Sequence, residues 1–118
     1  MTEFETMTYS RKDKIGYITF SRPQSLNAVN DQFETDLHGA LLEFDTDDDA
    51  WVAIIHGEGR SFCAGADIKQ RLSNMSPQER ARRERGGNPE SYLGRSINWK
   101  PVIAAVNGVC MGGGLLIA

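Results

Sequence analysis

Two apolar segments that each run into a glycine turn constrain this chain more than anything else in it. One is Ser61-Phe62-Cys63-Ala64-Gly65-Ala66-Asp67-Ile68-Lys69. The other is Lys100-Pro101-Val102-Ile103-Ala104-Ala105-Val106-Asn107-Gly108, continuing to Gly112-Gly113-Gly114. Glycine admits positive φ and close backbone approach. Each segment therefore reads as a buried strand that ends in a tight turn with exposed backbone N–H groups. Two such turns brought together can hold one developing negative charge, the arrangement of an oxyanion hole, and this points to acyl chemistry. Two tight turns without a ligand account for the same residues equally well.

The rest of the chain supplies the frame. Lys14 to Phe20 is rich in β-branched and aromatic residues and reads as a strand stopped by Ser21-Arg22-Pro23. Glu5 to Arg11 is its expected hairpin partner around Lys12-Asp13, and Pro23 to Asn30 is a loop. A helix is expected from Asn30 or Asp31, with Glu34 completing a capping box from Asp31. Its apolar face is Phe33, Leu37, Ala40, Leu41 and Phe44, at spacings of three and four. Trp51 to Ile55 is apolar without alternation, as in a parallel strand covered on both faces. Strand, helix, strand is the βαβ order of an α/β fold. Tyr92, Leu93 and Ile97 suggest a short helix before the Val102–Val106 strand.

Composition excludes several functions. The chain has 118 residues, enough for one small domain, with a net charge of −3 that gives no reason to expect nucleic acid. Cys63 and Cys110 are its only cysteines, too few for a disulfide framework, so a reducing compartment, the cytoplasm, is expected. Met1 to Ser10 lacks the pattern of a signal peptide. Pro101 to Ala118 carries Asn107 as its only polar side chain, with Gly108-x-x-x-Gly112 spacing. A membrane span is the alternative there, but Pro101, the glycines and the Asn107-Gly108 turn pair favour a buried strand, turn and helix start. Asp45 to Asp49 lacks the glycine and closing glutamate of a calcium loop and reads as a solvated acidic break. Gly57-x-Gly59 fails the dinucleotide fingerprint, and no phosphate-binding P-loop occurs. No metal is expected, since no ligand is spaced to join His56. His38 reads as a surface residue and Trp51 and Trp99 as core or edge packing. Cys63 and Cys110 read as packing rather than nucleophiles. Residues 70–95 carry six arginines among Ser, Pro and Gly. They read as a variable, solvated excursion with a short helix over Gln78–Arg85, or as a lid whose arginines attract phosphates.

Four motifs in order carry a resemblance. Arg22-Pro23-Gln24-Ser25-Leu26-Asn27-Ala28, Phe62-Cys63-Ala64-Gly65-Ala66-Asp67-Ile68, Lys100 to Gly108 and Gly112-Gly113-Gly114 resemble the crotonase superfamily, the enoyl-CoA hydratase/isomerase group, over nearly the whole chain. The resemblance implies a ClpP/crotonase-like α/β spiral of ββα units, of which residues 1–118 form the N-terminal part. It implies an acyl-CoA thioester as substrate, no permanently bound cofactor, a role in fatty acid metabolism, and a homo-trimer or hexamer at full length. It places the oxyanion donors at the backbone N–H groups of Ala66 and Gly113. It sets the CoA adenine near Ala64 and the pantetheine arm along Leu26, Ala66 and Ile68, with Gln24 and Lys69 near the CoA phosphates. Many relatives carry a basic residue at position 24, so a glutamine weakens that contact. The resemblance implies that the Ala64-Gly65-Ala66-Asp67-Ile68 loop cradles the CoA, and Asp67 within it is expected to fix the turn through local N–H groups, with an acid or base role as the alternative.

The chain also departs from the family pattern. Hydratases of the group carry a glutamate two residues after the glycine triplet, where this chain has Leu116. Leucine neither takes a proton nor orients water. This counts against two-glutamate hydration and leaves open the choice among hydratase, isomerase and other members that use a single acid–base residue, expected beyond Ala118, with a non-catalytic CoA-binding or interaction module as the alternative. Family members are more than twice as long as this chain, so a fragment is expected.

Overall fold

The computed structural model describes residues 1–69, 76–79, 81 and 98–118. Among them the strands are β1 (Thr2–Glu3), β2 (Met7–Lys12), β3 (Ile15–Phe20), β4 (Val52–Gly57), β5 (Ser61–Cys63), β6 (Val102–Ala104) and β7 (Val109–Cys110). The helices are α1 (Asp31–Thr46) and α2 (Gly113–Ile117), with a 3₁₀ turn at Pro23–Ser25. One sheet has the order β1-β2-β3-β4-β6, and β5 and β7 form a second, two-stranded sheet.

The hairpin β2–β3 forms as expected, with Lys12 opposite Ile15 and Asp13 at φ +56 in the turn. From β3 the chain crosses through α1 to β4, which pairs parallel with β3, and β6 adds parallel to β4. β1 was not anticipated, because two residues are too short to carry a periodic signal. Burial along β4 alternates, so one face lies in the core and the other is only half-buried, not covered on both sides.

Helix α1 starts one residue earlier than the expected box requires. Asn30 is the cap, and its side chain accepts the Phe33 N–H at 2.8 Å. Glu34 therefore falls one position past the site that a capping box needs. All five residues of the expected apolar face are buried, and Asp36 is buried with them. Its carboxylate accepts the Thr6 N–H at 2.8 Å and the Thr6 hydroxyl at 2.7 Å. His38 is half-buried, not a surface residue.

The acidic stretch Asp45–Asp49 is a solvated break only in part, with Asp48 and Asp49 exposed in a turn after α1. The helix continues to Thr46, and two of the aspartates are anchors. Asp45 accepts the N–H groups of Trp99 and Lys100 at 2.8 and 3.2 Å. The Lys100 ammonium donates to the carbonyls of Phe44, Asp47 and Ala50 at 2.9, 2.6 and 2.7 Å. A cation here complements the carbonyl oxygens gathered at the C-terminal end of a helix.

The core lies between α1 and the larger sheet. Phe20, Phe33, Phe44 and Phe62 are fully buried, each contributing roughly 1.5–3 kcal/mol of transfer free energy. Phe20 packs against Phe33 at 4.7 Å and Phe62 at 5.3 Å between ring centroids, which ties β5 to the main sheet. The tryptophans are not core: Trp51 and Trp99 are 65% and 97% exposed. Residues 101–118 do form strand, turn and helix. The burial expected of them is partial: Val102, Ala104, Cys110 and Ile117 pack against the core, whereas Ile103, Val106, Met111, Leu115 and Leu116 are exposed. Among the described residues no helix is long and apolar enough to cross a membrane. Residues 77–79 are helical, with Ser76 Oγ accepting the Glu79 N–H at 3.1 Å. The remainder of the expected Gln78–Arg85 helix, most of the 70–95 excursion and the Tyr92–Ile97 helix lie outside the described residues.

Candidate active site

Three connecting segments meet where β4, β5 and β7 end. The first, Arg22 to Val29, is bent by positive φ at Leu26 and Asn27. The second, Ala64 to Asp67, runs beside it. Ala64 N–H donates to Leu26 O at 3.1 Å, Val29 N–H to Gly65 O at 2.7 Å, and Asp67 N–H to Val29 O at 2.8 Å. Val29 and Ala66 form a parallel bridge. In that pairing the bonds fall on residues 65 and 67, so the Ala66 N–H points out of it. An ion pair closes the two segments: Arg22 Nη2 lies 3.0 Å from Asp67 Oδ2, and both side chains are nearly buried. Arg22 Nη1 also donates to Ala28 O. Asp67 thus bonds across to a distant cation, beyond the local turn role expected of it.

The third segment leaves β7 through Met111 and Gly112 into α2. Met111 N–H donates to Cys63 O at 3.1 Å, and Gly114 N–H to Met111 O at 2.8 Å. It touches the second segment at Gly65. A Cβ there would lie 3.0 Å from Met111 O and 3.6 Å from Gly113 N, on a backbone with φ +96, so only glycine suits the position. The turns bearing Ala66 and Gly113 are therefore in contact. Neither N–H has a backbone acceptor among the described residues. Two donors without a backbone acceptor on adjoining turns make this the candidate anion site.

Leu26, Ala64, Ala66 and Asp67 are drawn together by this pairing, and Gly113 abuts it. Gln24 is exposed in the 3₁₀ turn, and Ile68 and Lys69 are exposed just after Asp67. Leu116 is exposed, with its N–H on Gly112 O at 3.2 Å. Burial pushes the Cys63 thiol up, which suits packing and not thiolate chemistry. Its register partner across the small sheet is Cys110, and both are free thiols. His56 lies within β4, with Nε2 2.9 Å from Thr19 Oγ1. Sequence reasoning gave no role to Arg22, Asn27 or Asn107, whose side chains hold these segments. The available signal was polarity out of place, since Asn107 is the only polar side chain from Pro101 to Ala118.

Comparison with known proteins supplies the family. The enoyl-CoA hydratase/isomerase family model matches residues 10–118. The chain is 35% identical to a "Probable enoyl-CoA hydratase, mitochondrial" of Dictyostelium discoideum, over 98% of this chain and 40% of the relative. It is 33% identical to the peroxisomal Delta(3,5)-Delta(2,4)-dienoyl-CoA isomerase of Arabidopsis thaliana, over 98% of this chain and 46% of the relative. The crystal structure of an enoyl-CoA hydratase subunit I from Geobacillus kaustophilus superposes with a TM-score of 0.79 at 33% identity, covering 97% of this chain and 43% of that one. The chain spans less than half the length of these relatives, and its mixed α/β architecture is the corresponding part of the crotonase fold. On these grounds the chain belongs to the enoyl-CoA hydratase/isomerase family.

Proposed function

We propose that this chain binds a coenzyme A thioester and polarises its carbonyl oxygen between the backbone N–H groups of Ala66 and Gly113. The observation that carries the reading is the contact between their two turns, each offering an N–H with no backbone acceptor among the described residues. Donors fixed in advance stabilise the enolate-like charge that develops on a thioester oxygen without reorganising. Leu26, Ala66 and Ile68 would line the pantetheine arm and Ala64 the adenine. Asp67, held by Arg22, would keep the loop in shape, with Gln24 and Lys69 at its exposed rim toward the phosphates. No permanent cofactor enters this chemistry. Residues 1–118 act as the N-terminal part of one crotonase-like domain, with residues 70–95 as its variable stretch. A cytoplasmic site rests on the two free thiols alone, whereas the relatives named above include mitochondrial and peroxisomal proteins. A trimer or hexamer belongs to the same reading for a protein of the relatives' length.

Leu116 decides between chemistries. Without a carboxylate there, the chain has no group at that position to orient water. Isomerisation or another enolate reaction is favoured over two-glutamate hydration, and turnover-free binding of acyl-CoA is the second reading.

Ala66→Pro removes the donor while leaving the bonds at residues 65 and 67 intact. It should weaken thioester binding by about five-fold and slow any turnover by about a hundred-fold or more, since loss of one such donor costs roughly 3 kcal/mol in the transition state. Ala66→Gly should change little. Calorimetric titration of an acyl-CoA into the three proteins checks this, and equal affinity in all three would sink the assignment.

A further inference from the structure

Two asparagine side chains grip one turn from opposite sides. The turn spans residues 57–61, between β4 and β5. From one side Asn107 Nδ2 donates to Gly57 O at 2.9 Å and Gly59 O at 3.0 Å, while Gly57 N–H donates to Asn107 Oδ1 at 3.2 Å. From the other side the fully buried Asn27 donates through Nδ2 to Glu58 O at 3.0 Å and Ser61 O at 2.8 Å. Its Oδ1 accepts the Arg22 N–H at 2.8 Å. The join is tight. A Cβ at residue 108, where φ is +72, would lie 2.0 Å from Arg60 O.

Each grip leads directly to one of the paired donors. Past the turn, β5 runs into Ala66, and Asn27 is followed by Val29, which bonds on either side of Ala66. Asn107 is followed by Gly108 and β7, which runs into Gly113. Gly113 is thus tied to the Ala66 side both at Gly65 and through the Asn107 amide. An amide suits this task because one rigid plane carries both a donor and an acceptor. An aspartate keeps the acceptor, loses the donors and sets a negative charge against two carbonyl oxygens.

We propose that Asn107 is a positioning residue that sets the separation between the Ala66 and Gly113 N–H groups, with the residue 57–61 turn as its anchor and Asn27 holding that anchor from behind. The inference rests on the acyl-CoA reading above.

The test compares an acyl-CoA thioester with the matching CoA thioether, which lacks the carbonyl oxygen. The unmodified protein should bind the thioester about five-fold or more tightly, the worth of about one hydrogen bond. Asn107→Asp, with Asn107→Ala as the second variant, should lose that preference while thioether affinity stays within about two-fold. Retention of the full preference in both variants overturns the inference and leaves the acyl-CoA reading standing. Thioester and thioether affinity falling together makes the amide a general brace and also overturns it. An unmodified protein that shows no preference removes the oxyanion reading, and this inference with it.

Discussion

At the scale of single residues, the Arg22–Asp67 pair holds the two loops together. Its 3.0 Å contact joins side chains that are only 16% and 14% exposed. Removing one partner of such a pair strands the other charge away from water, whereas replacing both with apolar groups can be nearly neutral. Arg22→Met should therefore destabilise the chain by about 3 kcal/mol. Adding Asp67→Leu to it should recover most of that loss, with urea denaturation as the measurement. The turns of the candidate site were legible in the sequence, because apolar strands that run into glycines mark tight turns, while a ligand-free pair of turns fits the same residues. The partnerships were not. Arg22 and Asp67 stand 45 positions apart, and no local pattern links a guanidinium before a proline to a carboxylate in a distant turn. Asp36 was missed for a related reason: a carboxylate reads as surface until its buried Thr6 partner is known.

At the scale of elements, α1 and the hairpin were readable from periodicity and turn residues, and their joints were not. The end of α1 meets the hairpin at Asp47. Tyr9 OH donates to Asp47 Oδ2 at 3.0 Å and Arg11 Nε at 3.1 Å. Burial acts to raise the Asp47 carboxyl. The Tyr9 hydroxyl, the Asp49 N–H and the Arg11 charge outweigh it and hold the group below its ordinary value. Burial and the neighbouring Asp47 push the Tyr9 phenol upward in turn. The sign for Asp47 follows. A carboxyl depressed in the folded chain binds protons more weakly there than in the unfolded chain. Its stabilisation is present above the unfolded value and disappears as pH falls through the folded one. Thermal unfolding followed below about pH 4 should show a shallower acid decline in Asp47→Asn than in the unmodified chain. Identical slopes would count against this joint. The acidic stretch looked like solvent-facing loop because charge runs usually are. Here Asp47 found partners in β2 and Asp45 in the segment before β6.

At the scale of the whole molecule, the candidate site is made of contacts between distant parts of the chain. Asn107 reaches Gly57 across 50 positions, Arg22 reaches Asp67 across 45, and Lys100 reaches Phe44 across 56. The hairpin pairs neighbours in sequence, and α1 is local by nature. Closing long loops costs entropy before the contacts return anything, so local elements lead and distant pairings follow. Pulsed hydrogen exchange during refolding should find the Thr19 amide, which the hairpin register pairs with Thr8, protected before that of Gly57. The reverse order would contradict this sequence of events. The asparagine grip on the residue 57–61 turn then has a temporal meaning. It is a latch expected to set late in folding, so the anion cradle proposed at Ala66 and Gly113 should form only when nearly all of the other structure is in place. Under mild denaturant the same latch should open early, and the preference for a thioester over its thioether should vanish while the hairpin and α1 are still intact.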